Sequence, residues 1–163
     1  ELCASWKYAL KSTYKPTAII LTRQDVPNIT NATYEQVSKG AYVVSKEQEN
    51  LDGILIATGS EVSLAIEAQK ELLKQGHDVR VVSMPSMELF DAQTAEYKET
   101  VLPSSMRKRL AVEMATEFGW HKYLGLDGRM LSVNQFGSSA PANKVIEEYG
   151  FTVENVVKTY LSM

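Results

Sequence analysis

Residues 53–85 read GILIATGSEVSLAIEAQKELLKQGHDVRVVSMP. The first seven, GILIATG, form an apolar run that ends in a glycine, the pattern of a strand covered on both faces. From Ser60 to Gly76 the rhythm changes. Val62, Ala65, Ile66, Leu72 and Leu73 recur at helical spacing and share one face. Ser60 is placed to cap that helix and Gly76 to stop it. DVRVVSMP, residues 78–85, then reads as a second strand. Strand, helix and strand within about thirty residues make a βαβ unit. Its two strands are therefore parallel, joined by a right-handed crossover.

The same alternation extends in both directions. Upstream, ELCASWKYALKS (1–12) predicts a helix with Leu2, Trp6, Ala9 and Leu10 on one face. Ala18 to Thr22 reads as a buried strand. Pro27 and the polar run NITNAT (28–33) read as a linker. A helical turn from Tyr34 to Lys39 ends at Gly40, and AYVVSK (41–46) is a strand. Downstream, FDAQTAEYKETVL (90–102) reads as one helix capped by Asp91, and RLAVEM (109–114) as a strand. A short helical segment lies in TEFGWHKYLG (116–125), with a strand in RMLSV (129–133). APANKVIEEYG (140–150) is a helix with Pro141 in its first turn and Gly150 after its end. The last helix starts at Thr152, with Phe151 and Val156 spaced as a hydrophobic staple.

This order predicts an α/β three-layer sandwich with a mostly parallel five-stranded sheet. The 163 residues fit one domain, or one domain plus a piece of another. The boundary is expected between Gln24 and Asn31, with a helix and strand of a neighbouring domain before it. Glu1 opens the sequence directly in a helix, so the chain reads as the tail of something longer.

Composition excludes several classes. Hydrophobic residues make up 44%, enough for a core, and the formal net charge of −3 gives no footprint for nucleic acid. The tightest basic cluster, Arg107-Lys108-Arg109, reads as a solvated strand entrance. No apolar run approaches the ~18 residues needed to cross a bilayer. No secretory leader pattern is present. The single cysteine, Cys3, excludes an internal disulfide, which points to a reducing, cytoplasmic compartment.

Candidate chemistry is sparse. The TGSEV turn, Thr58 to Val62, joins a strand to a helix start and could cradle an anion. Glu61 puts a negative charge there, which favours a plain helix start. His77 and His121 have no nucleophile or metal partner at recognisable spacing and read as structural or solvated. Glu113 ends a strand at the edge where open α/β sheets bind ligands, but no second carboxylate is evident beside it. Phe118, Trp120 and Tyr123 read as core first and as an interface patch second. Arg23 follows a predicted strand, so its guanidinium would emerge at a sheet edge, where its planar fork matches a phosphate. A salt bridge with Asp25 explains it equally well.

Five stretches carry a resemblance. They are PTAIILTRQDVP (16–27), ILIATGSEVSLAIEA (54–68), VRVVSMPSMELFDAQ (79–93), YKETVLP (97–103) and FGSSAPANKVIEEYGFTVENVV (136–157). Together, and in this order, they resemble the carboxyl-terminal part of transketolases. Ser83-Met84-Pro85-Ser86 followed by Phe90-Asp91-Ala92-Gln93 separates them from two families sharing the domain. Those are the 2-oxoacid dehydrogenase beta subunits and deoxyxylulose-phosphate synthase.

The resemblance implies a transferase of the pentose phosphate pathway that moves a two-carbon ketol unit between sugar phosphates. It implies thiamine diphosphate and Mg²⁺ or Ca²⁺ as cofactors of a homodimeric, full-length enzyme with three α/β domains per chain. Residues 1–31 would then be the end of the pyrimidine-binding middle domain plus linker. Residues 32–163 would be the carboxyl-terminal domain. By the same resemblance, Arg23 holds the substrate's terminal phosphate. No catalytic, cofactor-binding or metal residue is carried over, because no Gly-Asp-Gly motif occurs here. The isolated chain is expected to be inactive. Two other functions stay open on the residues alone. One is a stand-alone anion- or nucleotide-binding regulatory module using the TGSEV turn, and the other is a dimerisation domain.

Overall fold

A computed structural model describes residues 1–29 and 32–163. Helix α1 spans Leu2–Lys11 and α2 spans Tyr34–Val37. Strand β1 (Tyr42–Ser45), β2 (Gly53–Ala57), α3 (Glu61–Lys74) and β3 (Val79–Ser83) follow. Then come α4 (Met87–Asp91), α5 (Ala95–Val101), β4 (Arg109–Val112), α6 (His121–Leu124) and β5 (Arg129–Leu131). Helices α7 (Ala142–Glu148) and α8 (Val153–Leu161) complete the chain.

The five strands lie in the order β1-β3-β2-β4-β5. β2 pairs in parallel with β3 and with β4, and β4 in parallel with β5, while β1 runs antiparallel to β3. The sheet is the mostly parallel one expected from the sequence. Side chains alternate across it. Leu55 and Ala57 of β2 point into one apolar layer with Val62, Leu72, Leu110, Phe151, Val156 and Tyr160. Ile54 and Ile56 point into the other, with Val82, Phe90, Val101, Trp120 and Leu124. Helices α3 and α8 cover the first face; α4, α5 and α6 cover the second. That gives the three layers.

Local chemistry sets the element ends. Helix α3 stops in a Schellman arrangement, with Gly76 at φ +84°. Its amide donates to Leu73 O at 3.0 Å, and the His77 amide to Leu72 O at 2.9 Å. Thr152 caps α8 by accepting from the Asn155 amide at 3.2 Å. Phe151 and Val156 are buried on either side of that cap, as the staple requires. At Gly53 an added Cβ would lie 2.4 Å from the Tyr160 hydroxyl, which donates to Asp52 O at 3.0 Å. Only glycine leaves room for that bond.

Four expectations differ from the structure. Residues 18–22 form no strand and are largely exposed, with Ile20 at 93%. A strand needs neighbours for its backbone groups, and among the described residues the sheet does not include these. Helix α1 forms, but it buries Ala4 rather than the Leu2, Trp6 and Leu10 stripe, which faces solvent. Residues 90–102 make two helices rather than one. Asp91 ends α4, and Thr94 caps α5 by accepting from the Tyr97 amide at 3.3 Å. Ser60 has helical backbone angles and makes no side-chain cap. Its hydroxyl donates to Glu61 Oε1 at 2.7 Å instead. Asn31, at the end of the expected linker, lies outside the described residues.

Candidate functional site

The chain leaves β2 through α3 on one face of the sheet, and reaches β4 through α4 and α5 on the other. The carboxyl ends of β2 and β4 therefore flank the point where an open α/β sheet forms its crevice. Glu61 and Glu113 meet there. Glu61, on the first turn of α3, is only 8% exposed, and its Oε2 accepts from the Met114 amide at 3.3 Å. That amide belongs to the peptide joining Glu113 to Met114, so the two carboxylates flank one peptide unit. Glu113 Oε2 accepts from Trp120 Nε1, at the start of α6. Burial pushes the Glu113 carboxyl above its usual range; the Trp120 hydrogen bond opposes this and the charge of Glu61 adds to it.

This arrangement decides between the readings of the TGSEV turn. A phosphate at the α3 start would meet the Glu61 carboxylate, already bonded to Ser60 and Met114. The turn is a helix start. Glu113 does have a carboxylate neighbour, which sequence spacing did not reveal because 52 positions separate the two. Trp120 and Tyr123 are buried in the core, whereas Phe118 is exposed. His77 packs edge-on against Tyr160, with ring centroids 5.9 Å apart. His121 is exposed, 3.8 Å from Glu117.

The basic cluster is not a free phosphate site either. Arg107 pairs with Asp127 at 2.6 Å, and Lys108 lies 4.1 Å from the centroid of the Tyr160 ring. Arg109 is half-buried rather than solvated. It donates to the carbonyls of Met106, Leu102, Pro103 and Tyr123, at 2.6–3.2 Å. Arg80, unremarked in the sequence, is 8% exposed as the second residue of β3. It forms a fork with Glu47, Nε to Oε2 at 2.8 Å and Nη2 to Oε1 at 2.7 Å. Its Nη1 donates to Thr100 O at 2.8 Å. The arginine hydrogen bonds hold the Glu47 carboxyl below its usual range against the opposing effect of burial. A charge inside an all-buried strand was the available signal.

Arg23 stands apart from all of these. It lies in the exposed stretch after α1, and the ion pairs among the described residues do not include one to Asp25. Among the described residues, no side-chain hydrogen bond or ion pair joins it to the Glu61–Glu113 crevice.

A family model described as the transketolase-like C-terminal domain matches residues 40–152. This chain belongs to the transketolase family. A transketolase of Bacillus subtilis is 56% identical over 161 residues, covering 96% of this chain and 24% of that protein. A probable transketolase of Streptococcus pneumoniae is 54% identical over 158 residues, covering 97% and 24% respectively. A crystal structure of a Pichia stipitis transketolase in complex with sedoheptulose-7-phosphate superposes with a TM-score of 0.90 at 40% identity. That match covers 98% of this chain and 23% of the other. The chain thus spans about a quarter of the length of the curated transketolases it matches, and corresponds to their carboxyl-terminal domain. No helix among the described residues is long and apolar enough to cross a membrane.

Proposed function

We propose that this chain is the carboxyl-terminal portion of a thiamine diphosphate-dependent transketolase. That enzyme moves a two-carbon ketol unit from a ketose phosphate to an aldose phosphate in the pentose phosphate pathway. It works as a cytoplasmic homodimer. Residues 1–31 close the pyrimidine-binding domain, and 32–163 are the carboxyl-terminal domain. The observation that carries this reading is similarity to transketolases over nearly the whole chain. The sugar phosphate bound in the Pichia stipitis structure supports the substrate class.

The cofactor does not fit the residues present here. Among the described residues no three His, Cys, Asp or Glu side chains gather as a metal site. The sheet's crevice carries two carboxyl groups, which disfavour a diphosphate. We therefore assign thiamine diphosphate and its Mg²⁺ or Ca²⁺ to the parts of the enzyme preceding this chain.

Arg23 is the one residue assigned a substrate role. Its guanidinium would bind the terminal phosphate, and binding energy remote from the reacting carbon orients the sugar. In the complete polypeptide, Arg23→Ala is expected to raise KM for phosphorylated ketoses roughly tenfold or more, the loss of a charged hydrogen-bonded pair. Affinity for thiamine diphosphate stays as in the unmodified enzyme. Steady-state kinetics with titrated cofactor measure both, and an unchanged KM would sink the assignment.

A further inference from the structure

Residues 1–29 meet the sheet through a small polar contact. Glu1 precedes α1, and its Oε1 accepts a hydrogen bond from the Tyr42 hydroxyl at 2.5 Å and another from Ser83 Oγ. Tyr42 opens β1, Ser83 closes β3, and the two are register partners across the antiparallel pair. Both are buried, Ser83 completely. One turn further along α1, Ala4 packs with Val37 and Tyr42. Beyond it, the ammonium groups of Lys7 and Lys11 lie 4.5 and 5.0 Å from the centroid of the Tyr34 ring. Positions 1, 4, 7 and 11 fall on one side of a helix.

The helix is therefore docked by Ala4 and by the polar groups on either side of it. An amphipathic helix ordinarily turns its apolar stripe to the core. Here the stripe of Leu2, Trp6 and Leu10 points away, and specific hydrogen bonds join the small apolar contact of Ala4 in the attachment. A serine hydroxyl buried at the end of a strand requires an acceptor, since a buried polar group left unpaired is destabilising. A carboxylate accepting from two hydroxyls at one oxygen makes charge-assisted bonds, stronger than neutral ones.

We propose that Glu1, Tyr42 and Ser83 form an interdomain latch that positions the segment carrying Arg23. This rests on the reading of Arg23 as a phosphate ligand. The latch anchors the segment on its amino-terminal side, and α2 anchors it on the other. Between them runs the stretch that carries Arg23, tied to this domain on both sides. Glu1, Tyr42 and Ser83 are positioning residues and touch no substrate.

Two measurements test this. In the 163-residue chain, Glu1→Gln, Tyr42→Phe and Ser83→Ala should each lower hydrogen-exchange protection of the α1 amides roughly tenfold, leaving β2 and β3 as they were. Glu1→Gln leaves the buried sheet residues unaltered, so it remains informative if Ser83→Ala folds poorly. Unchanged protection of α1 in Glu1→Gln overturns the latch. In the complete polypeptide, Glu1→Gln should raise KM for a phosphorylated ketose about threefold, with kcat and the KM for an unphosphorylated ketose unmoved. Arg23→Ala serves as the control. If it raises KM and Glu1→Gln does not, the latch is overturned while the phosphate ligand stands. If Arg23→Ala itself is silent, the phosphate reading fails, and the exchange measurement alone decides whether the latch exists.

Discussion

Two apolar runs of this chain have the same composition and opposite fates. Ala18-Ile19-Ile20-Leu21 and Ile54-Leu55-Ile56-Ala57 each contain two isoleucines, one leucine and one alanine. The second is a central strand with Ile54 completely buried; the first is irregular, with Ile20 at 93% exposure. Intrinsic β preference is the same in both. What differs is company. β2 has a parallel partner on either side and helices over both faces, whereas the 18–21 run has neither. In the proposed complete enzyme, the sheet of the preceding domain would supply those partners.

The largest test of that difference is truncation at equivalent positions. Leu55→Ala should cost about 3 kcal/mol, transfer plus cavity, in urea unfolding of the 163-residue chain. Ile20→Ala in the same chain should fall within about 0.5 kcal/mol of zero. A large loss at Ile20 would mean that the amino-terminal segment is packed in solution, and would break the comparison.

The two arginines sharpen it. Arg80 is enclosed with Glu47, while Arg23 is exposed. Arg80→Ala leaves the Glu47 carboxylate unpaired at a largely covered site and should cost roughly 3 kcal/mol. Arg23→Ala should leave stability unchanged. The Glu47 carboxyl titrates below its unfolded value. The stability it contributes is present above the ordinary glutamate range, near pH 4.3, and is lost as pH falls through the depressed folded value. Acid unfolding midpoints of the parent and of Arg80→Met measure this. The variant should lose less stability than the parent between pH 5 and about pH 3.

The same contrast explains what could be read from the sequence. The βαβ unit, the Gly76 stop and the Phe151–Val156 staple depend on residues close in the chain, and each formed where expected. The strand at Ala18–Thr22 depends on partners that local pattern does not encode. Asp91 had the right type for a cap, but Thr94 occupied the start of the helix that formed. At the crevice, Glu113 was legible as the end of a strand. Its Trp120 bond required α6 to return across the edge, and the approach of Glu61 required the packing of α3. Neither leaves a mark in spacing. The family signature was legible because it lies in continuous stretches such as Ser83–Ser86. The Glu1, Tyr42 and Ser83 contact brings together three separate segments and had no such signal.

Covering a side chain also has a cost when the group is ionisable, and Glu113 should show it as the smallest of these effects. Its carboxyl is pushed above its usual range chiefly by burial. The folded state therefore holds that proton to higher pH than the unfolded state does. Stability from this group is fully present below the unfolded value, near pH 4.3, and is lost as pH rises through the raised folded value. Glu113→Gln keeps a neutral side chain at every pH, and its amide oxygen can still accept from Trp120 Nε1. At pH 4 parent and variant should melt together. By pH 7 the variant should melt higher by about 2 °C, the shift expected from less than 1 kcal/mol in a domain of this size. Glu61 must stay in place for this, because its charge adds to the penalty. In a Glu61→Gln background, the gain from Glu113→Gln should shrink. A gain of equal size at pH 4 and pH 7 would show that packing, and not the proton, separates the two side chains.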